Sequence, residues 1–488
     1  MNKSDRVIFP QVYGNEEETG LLINVGGQLH DPFHFCEELE YLTPDGLIKG
    51  DVFLSNGFKA YSGGSKSNHM THDYDNFERA TPECSSPSQL TTYIRASERL
   101  VFKYLQKYMD YEEYIEGARI QRRVVDAYGN RKASHDSFGL HDTNETLQEN
   151  TILQHVLMGH LASRSCITGS GLVGSKEISF AQKIDGLSAV KEYGYFGSMY
   201  RIDIDDAKDP TSACFPRFET RCGDINISDF ACRHRIGMTA LMLAIGQTQC
   251  AGKLLDKIDI HSANAINIAK GMNRLAITDE GHITVPKSVI AGLDFQRIAA
   301  EYALTQLELE ADYIPSELTQ TALNQVALDD QLRKVFSGEE TVDLLADKLD
   351  WAAKLTPIIR RFLSSGDKAA LIDIEAQADD LRYDHIGISR DDQGYEVVKY
   401  GRGYRLRDRN KLLGTVPNNA VEHALYNPPP LGRAALRSEI IKKHYVKQDT
   451  WRNITIHDGE NEETITLSPT QVELTDIQTT QLQQVKMR

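Results

Sequence analysis

The sequence of 488 residues lacks the features that mark several classes of protein. No apolar run approaches the roughly 18 residues of a membrane-spanning helix, and the first residues lack the apolar core of a signal peptide. Its seven cysteines are scattered without a Cys-x-x-Cys pair, which argues against a disulfide framework or a structural zinc site. We therefore expect a cytoplasmic protein with reduced thiols, in which any metal is held by oxygen ligands.

The chain also lacks an excess of positive charge. Its 54 Lys and Arg residues are outnumbered by 70 Asp and Glu residues, which gives a formal net charge of −16. A surface of that sign repels nucleic acid and anionic lipid unless a local basic patch overrides it. We therefore expect neither nucleic acid nor a membrane as a partner.

The chain does contain short strand-like runs interspersed with long amphipathic helices. The strand-like runs dominate its first part, as in GLLINVGGQL and FETRCGDINIS. Ser86 or Ser88 can cap the first helix, and a second helical pattern includes Ile152, Val156 and Leu157. Because the strands do not alternate evenly with helices, the pattern favours an α+β fold with an antiparallel sheet over a doubly wound fold.

The later part of the chain predicts a helical layer and a small second domain. Residues 289–363 are almost wholly helical in pattern, which predicts a layer packed against the sheet. NPPPLG, at residues 427–432, is a rigid, non-helical connection, and NITIHDGENEETITL after it predicts a β-hairpin with an Asp-Gly turn. We place a large domain over residues 1–410 and a small C-terminal domain over residues 411–488.

An acidic segment near the start of the chain is a candidate metal site. GNEEETG, at residues 14–20, joins two strand-like runs, and alternation along a strand puts Glu16 and Glu18 on one face. Two carboxylates so placed repel each other unless a cation lies between them, and hard oxygen ligands of this kind suit Mg²⁺. A solvated acidic turn explains the same residues without a metal.

Three further segments carry polar residues of interest. In RFETRCGDINIS, Arg217 shares a strand face with Glu219 and Arg221, and a guanidinium can hold a phosphate with two parallel bonds. An ion-pair ladder explains that cluster equally well. SFGLHDTNE places His141 in a turn before a helix, where capping or packing is the commoner role. GSGLVG formally fits a dinucleotide-binding pattern, but it follows a helix rather than a strand.

The segment NHMTHDYDNFERATPEC, at residues 68–84, raises a question of its own. His69, His72 and Asp73 fall within five positions, ahead of a compact Thr-Pro-Glu-Cys. The histidines alone suggest a zinc-like site, but no third soft ligand lies near them in the sequence. A catalytic loop and a polar loop leading into a strand are the other two interpretations.

Taken in order, these segments resemble the Pup ligase and Pup deamidase/depupylase family, a branch of the carboxylate–amine ligases related to glutamine synthetase. The resemblance runs through GNEEETG, ERATPECSSPSQLTTYIRASER, SFGLHDTNE, RFETRCGDINISD and NPPPLGRAALRSEII, and it spans roughly nine tenths of the chain. ATPEC with the following helix, which carries Arg95 and Glu98, and GDINIS are its most specific pieces. The short segment at about residues 28–51 is similar to the ligase branch.

The resemblance implies a curved antiparallel sheet that forms an open cradle for ATP and a divalent metal, with a small C-terminal domain over one end. In such enzymes the γ-phosphate passes to a carboxylate, and an amine, or water in the deamidating members, attacks the acyl-phosphate. Metal and arginine neutralise the charge that develops on the phosphoryl group. The resemblance therefore predicts an ATP- and Mg-dependent carboxylate–amine ligase, whose carboxylate donor and amine acceptor are proteins, peptides or small molecules.

Matched residue by residue, the resemblance also assigns a site. The metal ligands are Glu16, Glu18 and Glu78, and the nucleotide-binding residues are His141, Arg217 and Asn226. Trp351 lies in a matching helix.

The family's catalytic aspartate has no simple counterpart. Alignment forward from LSNGFKAY puts Gly63 at its position, whereas counting back from Cys84 puts His72 there. Asp73 is the best-placed replacement for the base, and His72 and Asp75 are the alternatives.

Other departures from the family lie on the acceptor side. The family's His-Glu-Asn is HDT at residues 141–143, and its Arg-Leu-His is RFE at residues 217–219. The metal carboxylates are spared, which supports ATP and Mg²⁺ binding more than any particular substrate. Two alternatives to a ligase stay open: an ATP-dependent hydrolase, deamidase or phosphotransferase on the same scaffold, and a nucleotide-binding regulator without turnover.

Overall fold

The structure is a computed structural model. It describes residues 7, 9–26, 28–30, 52–53, 59–62, 76–112, 114–121, 134–139, 151–174, 177–191, 198–204, 216–311, 313–391, 396–449, 453–467, 471 and 473–485. For some of them, including Glu18 and Glu78, the description covers the backbone alone. None of the described helices is long and apolar enough to cross a membrane.

The described strands and helices follow one another in a mixed order. The strands are β1 (Val12–Val25), β2 (Gln28–His30), β3 (Val52–Phe53), β4 (Lys59–Ser62), β5 (Asn76–Ala80), β6 (Ile115–Gln121), β7 (Ser134–Gly139), β8 (Leu172–Val173), β9 (Ile178–Ser179), β10 (Ala189–Lys191), β11 (Ser198–Ile204), β12 (Pro216–Gly223), β13 (Arg274–Ile277), β14 (Ile283–Thr284), β15 (His385–Arg390), β16 (Glu396–Tyr400), β17 (Tyr445–Asp449), β18 (Asn453–His457) and β19 (Glu462–Thr466). The α-helices are α1 (Pro87–Tyr111), α2 (Thr151–Ser163), α3 (Ser165–Thr168), α4 (Asp229–Ile245), α5 (Cys250–Leu255), α6 (Ala265–Met272), α7 (Lys287–Thr305), α8 (Ser316–Ser337), α9 (Asp350–Ser365), α10 (Ile374–Leu381), α11 (Arg402–Asp408), α12 (Asn418–Tyr426), α13 (Arg433–Lys443) and α14 (Asp476–Gln484).

The main sheet is built around β1. Its 12 described strands run in the order β10–β11–β12–β7–β1–β5–β4–β3, with a branch from β1 through β6 and β15 to β16 and with β2 also on β1. Among these strands the pairings are antiparallel except that of β10 with β11. GNEEETG lies inside the single strand β1 and does not join two strands. The predicted α+β fold with an antiparallel sheet is confirmed.

The two faces of β1 have different surroundings. Tyr13, Leu21 and Ile23 are buried in hydrophobic clusters on one face. Glu17 is buried on the same face and forms an ion pair with Arg79 of β5. Because side chains alternate along a strand, the even-numbered residues of β1 belong to the opposite face, which lies away from the helical core.

The predicted N-cap of α1 is confirmed. The predicted apolar pattern of α2 is partly wrong, because one of its three residues is exposed. The hydroxyl of Ser86 accepts a hydrogen bond from the backbone N–H of Gln89 at 3.3 Å, as expected of an N-cap. In α2, Val156 and Leu157 are buried, but Ile152 is 54% exposed. Ile152 lies in the first turn of α2, where its side chain is open to solvent.

The helical character predicted for residues 289–363 is confirmed by α7, α8 and α9. The predicted packing of this layer against the sheet stays a prediction. Trp351 of α9 is buried, and its indole N–H donates to the backbone carbonyl of Cys166 at 2.9 Å. Its ring packs edge-on against Phe180, with the ring centroids 5.0 Å apart. Trp351 thus ties this layer to the segments beside the main sheet.

A small unit, defined here as residues 433–485, has a hydrophobic core of its own. It contains α13, a three-stranded sheet of β17, β18 and β19, and α14. The predicted hairpin is confirmed, because Ile454 lies opposite Ile465 and both are buried. The buried apolar residues of this core are Leu436, Ile440, Ile454, Ile456, Ile465, Leu467 and Val485.

The preceding helix, α12, belongs to the larger core. Val421 and Ala424 of α12 are buried in the cluster that includes Leu90 and Ile94 of α1. This grouping favours a division within the Pro-rich connection, and the predicted division at residue 411 stays a prediction.

Candidate metal and nucleotide site

The pairing of β1 with its neighbours brings acidic positions together. On one edge of β1, Glu18 lies opposite Glu78 and Glu16 lies opposite Ala80, while on the other edge Glu16 lies opposite His135. Cross-strand partners share a face, so the backbone places Glu16, Glu18 and Glu78 on one face of the sheet. Their role as metal ligands stays a prediction.

The described side chains on this face form a compact cluster. Glu16, His135 and Glu219 each offer one ligand atom, and these atoms lie within 4.8 Å of one another. Nδ1 of His135 is 3.8 Å from Oε1 of Glu219. Glu16 is partly exposed, whereas the other two residues are buried. An arrangement of two carboxylates and an imidazole suits a divalent cation.

Glu219 is held between two arginines. Nε of Arg221 donates to Oε1 at 2.7 Å, and Nη2 of Arg217 lies 2.8 Å from Oε2. That contact lacks the geometry of a hydrogen bond, so the buried Oε2 has an ion-pair partner but no hydrogen-bond donor. A buried carboxylate oxygen without a hydrogen bond fits a cation. The residues present therefore fit a divalent metal, to which His135 adds a nitrogen beyond the oxygen ligands expected.

The sequence could not identify His135 and Glu219 as a pair. They belong to β7 and β12, which are separated along the chain but adjacent in the sheet. Glu219 lies opposite Ser137, two residues along β7 from His135. Alternation shows which residues of each strand share a face, but only the strand order shows that the two strands meet beside Glu16.

Arg217 and Asn226 lie in different environments. Arg217 is 35% exposed, and its Nη1 is 3.9 Å from Oε1 of Glu16. Asn226 is buried; its amide donates to the carbonyl of Thr168 and to Asp350, each at 3.0 Å. Arg217 is thus at the cluster, and Asn226 organises the segment after β12. Their predicted nucleotide contacts stay predictions.

The remaining predicted residues fall outside the described part of the chain. They are Asp73, its alternatives His72 and Asp75, the aligned position Gly63, and His141. Their roles stay predictions, as do side-chain contacts of Glu18 and Glu78.

A buried ion pair supports the cluster from the other face of the sheet. Arg235 of α4 donates from Nε to Oδ2 of Asp136 at 2.8 Å and from Nη2 to Oδ1 at 2.9 Å, and both residues are 0% exposed. Asn15 donates to the same carboxylate at 3.0 Å. Burial opposes the charge of Arg235, but Asp136 outweighs it and raises the pKa of the guanidinium further. Since Asn15 and Asp136 adjoin Glu16 and His135, this pair fixes β7 against β1 beneath the cluster.

The other half of the main sheet carries basic residues on the same face. Arg119 of β6 lies opposite Leu22 of β1 and opposite Gly387 of β15, which in turn lies opposite Lys399 of β16. Arg119 and Lys399 are exposed, and Gly387 between them adds no side chain. Because Leu22 is an even-numbered residue of β1, this basic row lies on the same face as Glu16.

The positive field extends beyond that row. Burial lowers the pKa of His385, and the charges of Arg119, Arg405 and Arg382 lower it further. These three guanidiniums, from β6, α11 and the segment after α10, therefore converge on one region. On a chain with a net charge of −16 they form a local basic patch.

Comparison with known proteins places the chain in a family. A family model described as Pup-ligase protein matches residues 28–455. The Pup–protein ligase of Corynebacterium diphtheriae is 27% identical and covers 90% of this chain and 87% of its own length. That of Acidimicrobium ferrooxidans is 24% identical and covers 88% of this chain and 89% of its own.

Two solved structures share the fold. The complex between Pup and its ligase PafA matches with a TM-score of 0.73 at 18% identity, over 97% of this chain and 92% of that one. The Pup ligase PafA in complex with ADP matches with a TM-score of 0.64 at 18% identity, over 93% of this chain and 94% of that one.

These findings establish the class, an ATP-dependent carboxylate–amine ligase on an α+β scaffold. The chain belongs to the Pup-ligase family. The family and the ligase activity predicted from the resemblance are both confirmed.

Proposed function

We propose that this chain activates a carboxylate of a small, Pup-like protein with ATP and joins it to an amine of a second protein. A carboxylate oxygen attacks the γ-phosphorus and ADP leaves; the amine nitrogen then attacks the acyl carbon, loses a proton and expels phosphate. The observation that carries the proposal is the cluster of Glu16, His135 and Glu219, with Arg217 beside it, on the open face of the sheet. One solved relative is a complex with ADP, which supports a nucleotide at such a cradle.

Glu16, His135 and Glu219 would hold the metal, joined by Glu18 and Glu78 from their register positions. Bound there, Mg²⁺ supplies positive charge that offsets the charge developing on the phosphoryl oxygens. The protein's own contribution is to bring these groups together before the substrate arrives, because β1, β5, β7 and β12 fix their spacing.

Arg217 would orient the phosphoryl group. Its guanidinium lies between Glu219 and Glu16 and is partly exposed, so it is placed to donate to an anionic oxygen on the open face. Asp73 is the proposed base that takes the proton from the attacking amine, as the resemblance suggests. Asp73→Asn should then retain ATP binding and lose amide formation.

The basic row supports a protein as the carboxylate donor. The curated relatives are Pup–protein ligases, and one solved relative is a complex with Pup. A donor polypeptide with acidic side chains could lie along Arg119 and Lys399, on the sheet face that carries Glu16. Each strand residue adds about 3.3 Å, so the row begins within about 20 Å of Glu16.

Hydroxylamine trapping tests the proposal. The full chain is incubated with ATP, Mg²⁺, hydroxylamine and, as donor, Pup, the protein bound in the complex with PafA. A hydroxamate on the donor is the expected result, because hydroxylamine replaces the acceptor amine at the acyl-phosphate. Phosphate release that is independent of the donor and leaves no hydroxamate would favour a hydrolase or phosphotransferase. ATP bound and left intact would favour a regulator, and either result overturns the proposal.

A further inference from the structure

A buried ion triad joins Thr-Pro-Glu-Cys to the small unit. Oε1 of Glu83 lies 2.7 Å from Nε and 2.5 Å from Nη2 of Arg433, and Oε2 lies 3.4 Å from Nη1 of Arg437. The exposed fractions of these side chains are 10%, 8% and 0%, in that order. Burial opposes ionisation of Glu83, but the two guanidiniums outweigh it and lower its pKa. Glu83 is therefore charged at neutral pH.

On one side, Glu83 is fixed to β1. The backbone of Thr81 donates to the carbonyl of Asn15 at 2.9 Å, and Cys84 and Tyr13 exchange two backbone hydrogen bonds of 2.8 Å each. The segment that carries Glu83 thus continues the pairing of β5 with β1. A displacement of Glu83 would pull on the residues next to Glu16.

On the other side, the two arginines lie in the first five residues of α13. Arg433 and Arg437 are one helical turn apart and so share a face, while Leu436 and Ile440 of the same helix pack into the core of the small unit. The helix follows Gly432, whose φ of 93° is in the left-handed region that favours glycine. The triad therefore holds α13, and with it the small unit, at a set position after a turn.

We propose that Glu83 is a positioning residue that couples the small unit to the strands carrying Glu16 and Glu78. The inference rests on the proposed function, because those strands are where phosphoryl transfer would occur. Metal bound at β1 and β5 stabilises the arrangement that the triad also stabilises, and coupling between two such sites is reciprocal. Metal binding should therefore tighten the docking of the small unit, and only when Glu83 is present.

The test compares Glu83→Gln with the wild-type full chain. Tyr426 precedes the connection at residues 427–432 and Leu431 lies within it; they are 63% and 70% exposed, so chymotrypsin reports the opening of the connection. We expect cleavage at these residues to be about tenfold faster in Glu83→Gln. Saturating Mn²⁺ should slow the wild-type cleavage by about fivefold and leave that of the variant unchanged.

Turnover supplies the second readout. In hydroxamate formation we expect kcat of Glu83→Gln to fall by about tenfold to a hundredfold, with KM for the protein donor changed by less than about twofold. Arg433→Gln, at the start of α13, should act in the same direction if Glu83→Gln does not fold. Asp329→Asn is the matched control, since Asp329 is 0% exposed and pairs with Arg297 and Arg333 in the helical layer.

Three results would overturn the coupling: cleavage and kcat both unchanged, faster cleavage with kcat unchanged, or an Mn²⁺ effect on cleavage that survives Glu83→Gln. A raised KM with kcat intact would make Glu83 a binding residue and would also overturn it. The cleavage measurements need no turnover. A chain that forms no hydroxamate therefore refutes the proposed function, while the Mn²⁺ effect on cleavage still decides the coupling.

Discussion

Replacing Glu16 by Gln separates metal binding from folding more cleanly than any other change in the cluster. The carboxylate is 16% exposed, and its ion pair with Arg217, which is 35% exposed, is long at 3.9 Å. A pair of this kind contributes about 0–1 kcal/mol to the free energy of unfolding. Glu219, by contrast, is 0% exposed and lies 2.7 Å from Arg221. Its removal leaves the guanidinium of Arg221, which is only 11% exposed, without its partner, which costs about 3–5 kcal/mol.

The size of the metal effect follows from binding linkage. Mn²⁺ at about 100 times its Kd stabilises the wild-type chain by about 2.7 kcal/mol. Loss of a group that supports a metal weakens binding by about tenfold to a hundredfold. At the same Mn²⁺ concentration, the stabilisation in Glu16→Gln would then be about 1.4 to 0.4 kcal/mol. Urea unfolding with and without Mn²⁺ measures both numbers.

One result would refute the assignment of the cluster as the metal site. If Glu16→Gln keeps the full stabilisation by Mn²⁺, the cluster is not the metal site, whatever the stability of the free protein. Glu280→Gln is the control, because Glu280 is exposed in the turn before β14 and should leave the stabilisation unchanged. His135→Gln and Glu78→Gln then distinguish the described cluster from the ligand set predicted by resemblance: loss in the first alone favours the cluster.

Three further outcomes are expected. Asp136→Asn should lower the free energy of unfolding by about 3–5 kcal/mol, because it leaves Arg235 buried without its ion-pair partner. Urea unfolding measures this loss, and a loss below about 1 kcal/mol would contradict the argument. Burial lowers the pKa of His234 from 6.5 to about 4, so the stability present above pH 6.5 should fall by about 3 kcal/mol as the pH drops to about 4. His234→Gln should remove that part of the pH dependence. Replacing both Arg119 and Lys399 by Glu should raise KM for an acidic protein donor at low salt. The increase in KM should become smaller as salt screens the charges. An unchanged KM would exclude the basic row as a docking surface.

The sequence could predict the open face of β1 because alternation along a strand is a local property. Glu16 and Glu18 share a face whatever the rest of the fold does. Glu78 could be placed with them only through the resemblance, and the register of β5 on β1 agrees with that placement. His135 and Glu219 depend on which strands are neighbours, which no local pattern encodes.

The acidic run in β1 shows why composition misleads about turns. GNEEETG suggested a join between strands because charged residues are rare in the middle of a sheet. In the structure Glu17 is neutralised by Arg79, and Asn15 is hydrogen-bonded to Asp136. The partners that make a polar strand stable come from distant parts of the chain, so a sequence window containing only the acidic residues lacks the information that would show a strand.

Ala-Thr-Pro-Glu-Cys is one of the most specific pieces of the resemblance, and its partners from distant parts of the chain give a physical reason for that. Ala80 lies opposite Glu16, Thr81 and Cys84 hydrogen-bond to β1, and Glu83 accepts from two arginines of the small unit. Pro82 is buried without a backbone N–H that would need a partner. A single short segment thus has to satisfy the register of β1, the burial of its own backbone and the charge of α13. A substitution in it should disturb the cradle and the small unit together, whereas one in the basic row should affect binding of the donor alone.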